Sequence, residues 1–294
     1  MKTGFVAVIG RANAGKSTLV NVIVGEKVSI VSPKPQTTRD RIFGVYNADD
    51  CQIVFVDTPG LYKADNKLNS VMQKTVENSV DDVDLVLFVT DVHGGLTEKD
   101  VSLIKKYTSL NIPGIAVLTK TDIMPESLLL SEMKMLSDIN ADIIPVSARR
   151  NKNIKELIKV IKEKLPEGDK IFGDDVISDR SEKFMISEIM REKILLKFDK
   201  EIPHGVAVIV RNFKLRENGK IYDIDLDIVC ERENHKAILI GKGGKALKEV
   251  SSFARADMEK FLDKKVFLTT YVKVEDGWRN SNKYIKAFGY GEEQ

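Results

Sequence analysis

The chain reads as two unlike modules, a doubly wound α/β domain followed by a smaller α+β domain. Three observations predict this. Short, uninterrupted apolar runs alternate with helical periodicity up to about residue 165. That rhythm breaks at Leu165-Pro166-Glu167-Gly168-Asp169, and beyond it apolar residues alternate singly with polar ones. Runs that are apolar at every residue suit strands covered on both faces of a parallel sheet. Phe5–Ile9, Ile53–Val56, Leu85–Val89, Ile115–Leu118 and Ile143–Val146 are such runs. Between them lie helical patterns, as in Ile154, Leu157, Ile158, Ile161 and Leu165 at spacings of three and four. Strand–helix alternation of this kind builds a doubly wound sheet. Residues 1–166 are therefore assigned to the first domain, 167–182 to a polar linker and 183–294 to the second.

The second domain opens with a helix marked by Ile186, Ile189, Met190, Ile194 and Phe198. Two strands follow, Val206–Val210 and Ile221–Val229, the latter alternating as Ile224-Asp225-Leu226-Asp227-Ile228. Asn218-Gly219 between them is a hairpin signal. Next come a short helix over Lys236–Ile240, a glycine turn, a helix through Leu247, Val250, Ala254, Met258, Phe261 and Leu262, and a strand over Val266–Val274. The order is α-β-β-α-α-β.

With 43% hydrophobic and 31% charged residues over 294 positions, collagen-like, low-complexity and disordered classes are excluded. No apolar run approaches the roughly 20 residues of a membrane span, and the apolar start is too short for a signal peptide. Cys51 and Cys230 stand far apart in strand-like runs, which predicts buried free thiols and a reducing cytoplasm. His93, His204 and His235 are isolated, so a histidine metal site is not expected. Net charge is only +2, yet residues 236–286 carry 12 Lys or Arg against 6 Asp or Glu. One end of a near-neutral chain is a basic module, as nucleic-acid binding needs and as a solvated surface also shows.

Directly after the first strand stands Gly10-Arg11-Ala12-Asn13-Ala14-Gly15-Lys16-Ser17, followed by Thr18. This matches GxxxxGK[ST] and so resembles the phosphate loop of P-loop NTPases. Its glycines let backbone N–H groups crowd around phosphate oxygens, and the following helix aims its positive end there. Lys16 would neutralise the β and γ phosphates and Ser17 would ligate Mg²⁺. Asp57-Thr58-Pro59-Gly60 follows the next strand; Asp57 is placed to hold the magnesium through water, and Gly60 to offer its N–H to a γ-phosphate. Thr119-Lys120-Thr121-Asp122 ends another strand. A carboxylate at Asp122 can accept from both N1–H and the 2-amino group of guanine, donors that adenine lacks. Lys120 would lie along the base, and Val146-Ser147-Ala148, with Arg149 after it, would bring a backbone amide to guanine O6.

These residues resemble the nucleotide-binding motifs of translation-factor-type, Ras-like P-loop GTPases. One departure is Thr119, where Asn is usual; its hydroxyl is expected to buttress the loops in part. In the polar segment Pro35-Gln36-Thr37-Thr38-Arg39-Asp40-Arg41, the first switch, Thr38 is expected to add a ligand around Mg²⁺ and the γ-phosphate, with Thr37 as the alternative. Leu61 stands where Ras-like enzymes carry a water-orienting glutamine, so slow intrinsic hydrolysis is expected. The catalytic roles are assigned to Lys16, Thr38, Gly60 and Asn13. Related GTPases with Asn at the position of Asn13 use it to hold K⁺, which the resemblance implies here.

Ile240-Gly241-Lys242-Gly243-Gly244-Lys245 resembles the GxxG turn of a KH domain, and the element order is that of its type II form. Glycines there let a nucleic-acid backbone approach a helix N-terminus, while lysines add charge. A GTPase followed by a type II KH domain resembles the Era family of bacterial GTPases. Asp179-Arg180-Ser181-Glu182-Lys183-Phe184, Ile189-Met190-Arg191-Glu192-Lys193, Lys264-Lys265-Val266-Phe267-Leu268 and Gly277-Trp278-Arg279 extend the likeness along the chain. The resemblance implies GTP and GDP as ligands, binding to the 3′ end of 16S ribosomal RNA, a role in 30S subunit maturation, peripheral membrane association and a monomer. Two other readings stay open: an ATP-using P-loop enzyme, and a GTPase whose KH-like module binds a protein.

Overall fold

A computed structural model describes the chain except for residues 62–64, 110, 111, 140, 201, 218 and 292–294. It divides into two compact units. The first comprises Met1–Ser29, Thr38–Lys63 and Met72–Asp179; the second comprises Ile30–Thr37, Ala64–Val71 and Arg180–Gln294.

In the first unit, β1 (Lys2–Ile9), β2 (Ile42–Ala48), β3 (Cys51–Asp57), β4 (Leu85–Asp91), β5 (Gly114–Thr119) and β6 (Asp142–Pro145) form one sheet in the order β2-β3-β1-β4-β5-β6. All pairs are parallel except β2 with β3. Helices α1 (Lys16–Val24), α2 (Lys67–Asn78), α3 (Glu98–Thr108), α4 (Glu126–Met135) and α5 (Ile154–Lys164) follow the strands, the first residues of α2 counting with the second unit. Alternate residues of the central strands enter two separate cores. Val6, Val8, Phe55 and Leu87 pack with Leu19 of α1 and Leu157 of α5, whereas Ala7, Ile9 and Phe88 pack with Val76 of α2 and Ile104 of α3. Each large apolar side chain so buried contributes about 1.5–3 kcal/mol. Two-sided burial is why these strands read as continuous apolar runs.

Strand β2 has no such signature. It is a half-buried edge strand reached by the turn Asp49-Asp50, and its residues alternate too weakly to stand out. The expected linker 167–182 also differs from what is observed. Up to Asp179 it belongs to the first unit and runs along that same edge: Val45 N–H donates to the Ile177 carbonyl at 2.8 Å and Phe43 N–H to Asp179 Oδ1 at 2.8 Å, while Ile171 N–H donates to the side-chain Oε1 of Gln52 on neighbouring β3 at 2.7 Å. The unpaired edge of β2 needs partners, and a polar segment supplies them.

The second unit holds α6 (Glu182–Lys197), β7 (Ala207–Leu215), β8 (Ile221–Cys230), α7 (Glu233–Ile240), α8 (Lys245–Leu262), β9 (Lys265–Val274) and α9 (Asn282–Ala287). The α-β-β-α-α-β order is present, with α9 added. The sheet runs β7-β8-β9, antiparallel then parallel. Of the hairpin dipeptide, Asn218 lies outside the described residues. Ile186, Ile189, Met190 and Ile194 pack with Ile224, Leu226 and Ile228 and with Val250, Ala254 and Met258. Ser181 caps α6 by accepting from the Phe184 N–H. Trp278 is fully buried and donates its indole N–H to the Gly205 carbonyl at 2.9 Å. Cys51 and Cys230 are buried free thiols. Among the described residues no helix is long and apolar enough to cross a membrane.

Candidate functional site

The ends of β1, β3, β4 and β5 and the residues after β6 bring the expected nucleotide ligands together at the carboxyl edge of the sheet, where open α/β folds bind ligands. The loop Gly10–Gly15 links β1 to α1, which begins at Lys16 after a left-handed Gly15. Lys16 is buried and donates to the carbonyls of Gly10 and Arg11, each at 3.0 Å. Burial pushes its ammonium down to about 8, against the pull of Asp57. Arg11 is anchored in turn by an ion pair from Nε to Asp100 Oδ1 at 2.7 Å; Asp100 also closes the capping box of α3 with Thr97. Asn13 is exposed at the loop rim with φ of 60°.

Ser17 Oγ donates to Asp57 Oδ2 at 2.7 Å and lies 2.9 Å from Thr38 Oγ1. Of the two threonines, Thr38 faces Ser17, whereas the Thr37 hydroxyl donates to the Lys34 carbonyl at 2.6 Å. Burial pushes the Asp57 carboxyl up, opposed by the Ser17 hydrogen bond, and its Oδ1 is buried with no hydrogen-bond partner among the described residues. Three hard oxygen donors thus converge on one point beside an unsatisfied carboxylate oxygen. The set fits Mg²⁺, which uses few protein ligands and keeps several waters.

Thr58 donates to the Val8 carbonyl at 2.8 Å, and Leu61 N–H to the Gly10 carbonyl at 3.3 Å, which ties the Asp57–Leu61 turn to the phosphate loop. Gly60 makes that approach possible, since a Cβ there would fall 2.7 Å from Ala12 Cα. The Leu61 side chain packs on the apolar cluster under α2 and α3.

On the base side, Thr119 Oγ1 lies 2.6 Å from the Ala14 carbonyl and 3.0 Å from that of Thr90. A single hydroxyl therefore links the base loop to the phosphate loop. Lys120 adopts a left-handed backbone, and its ammonium meets Asp91 Oδ2 at 2.5 Å. Asp122 accepts from Ser147 Oγ at 2.6 Å, and that bond, assisted by Arg149 and Arg150, holds its carboxyl below the usual carboxylate range. Thr121 N–H points to the Val146 carbonyl at 3.4 Å, joining the two base loops. Asp91 and Asp100 escaped the sequence reading; Asp91 could have been found as an acidic residue at the carboxyl end of a strand.

In the second unit the turn Gly241–Gly244 joins α7 to α8, with φ of 72°, 59° and 76° at Gly241, Gly243 and Gly244. A Cβ on Gly241 would meet Ala246 at 2.7 Å, whereas Gly243 and Gly244 open onto free space. Lys242 and Lys245 are exposed beside them, and Ile240 is partly buried. Val250 and Ala254 of α8 are core residues.

Residues 5–120 match the family model described as 50S ribosome-binding GTPase, and residues 201–279 match the KH domain model. The chain is 47% identical over 292 residues to a GTPase Era of Clostridium kluyveri, covering 99% of both chains. It is 44% identical over 294 residues to that of Clostridioides difficile, again covering 99% of each. Among solved structures it is similar to an Aquifex aeolicus Era variant bound to GDP·AlF4⁻, with a TM-score of 0.94, 37% identity and coverage of 99% and 100%. It is equally similar to Era in complex with MgGDPNP and nucleotides 1506–1542 of 16S ribosomal RNA, with a TM-score of 0.95, 37% identity and the same coverage.

Proposed function

The chain belongs to the GTPase Era family, and from that premise we propose that it is a GTP-hydrolysing, magnesium-dependent switch that binds 16S ribosomal RNA near its 3′ end and acts in 30S subunit assembly. The observation that carries this reading is the convergence of Lys16, Ser17, Thr38 and Asp57 on one side and Asp122 with Ser147 on the other, in a chain that also bears the Gly241–Gly244 turn. Magnesium supplies charge neutralisation between the phosphates. The protein groups do the rest. Lys16 brings a desolvated positive charge to the phosphate oxygens, Ser17 and Thr38 orient oxygens toward the metal, and Gly60 can offer its N–H to the γ-phosphate. The Leu61 side chain has no polar atom with which to orient water, so slow intrinsic turnover is expected.

Asn13 is assigned to a K⁺ ion that stands in for an arginine finger. Support comes from its place at the exposed rim of the loop, and equal turnover in K⁺ and Na⁺ buffers would count against it. GTP is expected to order the segments around Thr38 and Gly60 and so change the RNA affinity of the second unit. Such coupling requires GTP to favour the RNA-competent state over the other. Lys242, Lys245 and the open glycines between them are assigned to the RNA backbone, with Ile240 at the edge of the base groove. The protein is taken to be a cytoplasmic monomer, which two unbridged thiols fit; peripheral contact with the inner membrane face rests on the family likeness alone.

The test is direct. A fluorescent GTP analogue should be displaced by GTP and GDP but not by ATP. An RNA of the 3′-terminal 16S sequence should bind more tightly with a GTP analogue than with GDP. Displacement by ATP would remove the guanine reading, and equal RNA affinity in both nucleotide states would remove the switch.

A further inference from the structure

Helix α6 was expected to bury one apolar face. It also buries Glu188, Arg191 and Glu192, and Arg191 is 1% exposed. A buried ion pair is held only if its remaining donors and acceptors are used, because desolvating both charges is unfavourable. The partners here are specific. Arg191 Nε donates to Glu188 Oε1 at 2.7 Å, and its NH2 group is shared between Glu188 Oε2 and the Thr37 carbonyl. Its NH1 group reaches the Gln36 carbonyl at 3.4 Å. Glu192 Oε1 accepts the Val31 N–H at 2.9 Å. Neighbouring side chains of α6 thereby hold both ends of Ile30–Thr37, a segment that precedes β2 in sequence yet is part of the second unit.

The held segment is itself strained and cross-linked. Gln36 has φ of 60°, an uncommon state for a residue other than glycine that persists only when its surroundings impose it. Its Nε2 donates to Asn69 Oδ1 at 3.1 Å, within Ala64–Val71, the other piece of the N-terminal sequence that belongs to the second unit. The residue after Thr37 is Thr38, whose hydroxyl meets Ser17.

We propose that Arg191, supported by Glu188, is a positioning residue for the γ-phosphate and magnesium side of the nucleotide site. By fixing the carbonyls of Gln36 and Thr37 it sets the backbone from which Thr38 is presented, acting along the chain and not by touching nucleotide. The proposal rests on the reading of Thr38 as the switch ligand. It follows that Arg191 matters for GTP, whose γ-phosphate and metal use Thr38, and not for GDP. By reciprocity, whatever affinity this clamp adds for GTP, GTP adds to the clamped state of α6.

The test measures affinities of the full-length protein for a non-hydrolysable GTP analogue and for GDP, both with magnesium. Arg191→Met alone leaves Glu188 buried and unpaired, so the double variant Glu188→Gln/Arg191→Met, which removes both charges, is made beside it, and thermal melts establish that each is folded. The expected result is a loss of about tenfold or more for the analogue, as for a broken hydrogen bond from a charged donor, with GDP affinity changed by less than about twofold. In a Thr38→Ala background the same substitutions should add nothing further. Equal weakening of both nucleotides, or no weakening of either in the folded double variant, overturns the proposal. If Thr38→Ala weakens the analogue and the α6 variants do not, the positioning role alone falls. If Thr38→Ala leaves the analogue unchanged, the reading of Thr38 falls and takes the proposal with it.

Discussion

Two loops of this protein use one backbone device, a glycine-rich turn feeding a helix N-terminus beside lysines, and enclose it differently. At the phosphate loop Lys16 is buried, Ser17 is locked to Asp57, and Gly60 abuts Ala12. At Gly241–Gly244 the two lysines are exposed and the last two glycines have nothing near them. An enclosed loop strips water from its ligand, so each hydrogen bond discriminates and an unmatched group is penalised. An open one accepts any extended phosphate backbone and takes its specificity from the groove beside it.

The widest separation of the two loops should come from the base end of the enclosed site. Asp122→Ala is expected to lower GTP affinity by about 10³-fold while leaving ATP binding as weak as before, because one carboxylate serves both guanine donors. Competition with a fluorescent nucleotide measures it, and a loss below tenfold would mean that the base is recognised elsewhere. Next in size, Gly243→Asp with Gly244→Asp should reduce RNA affinity by about 100-fold, roughly a decade for each new negative charge facing phosphate. Aspartate tolerates the left-handed backbone better than most residues and both positions are open, so the fold and the GTP affinity should be kept. Retained RNA binding, in an electrophoretic or anisotropy assay, would move the interface away from this turn.

The third difference is one of protonation. Burial sets the Lys16 ammonium at about 8, and a bound phosphate favours its charged form. Between about pH 7 and that value the lysine is already charged and adds no pH dependence to GDP affinity; at lower pH the nucleotide's own phosphate takes up a proton. As pH rises through 8 and beyond, binding must take up a proton, so affinity should fall by up to about tenfold per unit. Calorimetry without added magnesium, in buffers of different ionisation enthalpy, reads that proton directly. Lys16→Met should abolish the slope.

Legibility followed burial. Strands β1, β3, β4 and β5 announced themselves because interior strands are covered on both faces, and the core of α8 because its apolar residues recur at helical spacing. Of the two edge strands, β6 still showed as the short apolar run Ile143-Ile144, whereas the partly buried β2 mixes polar and small residues without a regular alternation and was silent. The segment up to Asp179 passed for a linker because backbone hydrogen bonds to an edge leave no trace in side-chain pattern. The proposed nucleotide residues stand in motifs, yet their protein partners were not readable: nothing local links Lys120 to Asp91, Arg11 to Asp100, or Thr119 to the Ala14 carbonyl.

What composition and motif order indicated alone was the proposed chemistry, since a phosphate loop, a carboxylate placed to read guanine and a glycine turn would each work through residue types at short fixed spacings. What only the folded chain decided was membership. Residues 30–37 precede the second domain by more than a hundred positions and still fold with it, because a buried arginine must find carbonyls wherever the chain can bring them; Gln36 in turn ties in Asn69 of the segment 64–71. Short-range spacing sets what a side chain can do; long-range closure sets which side chains do it together.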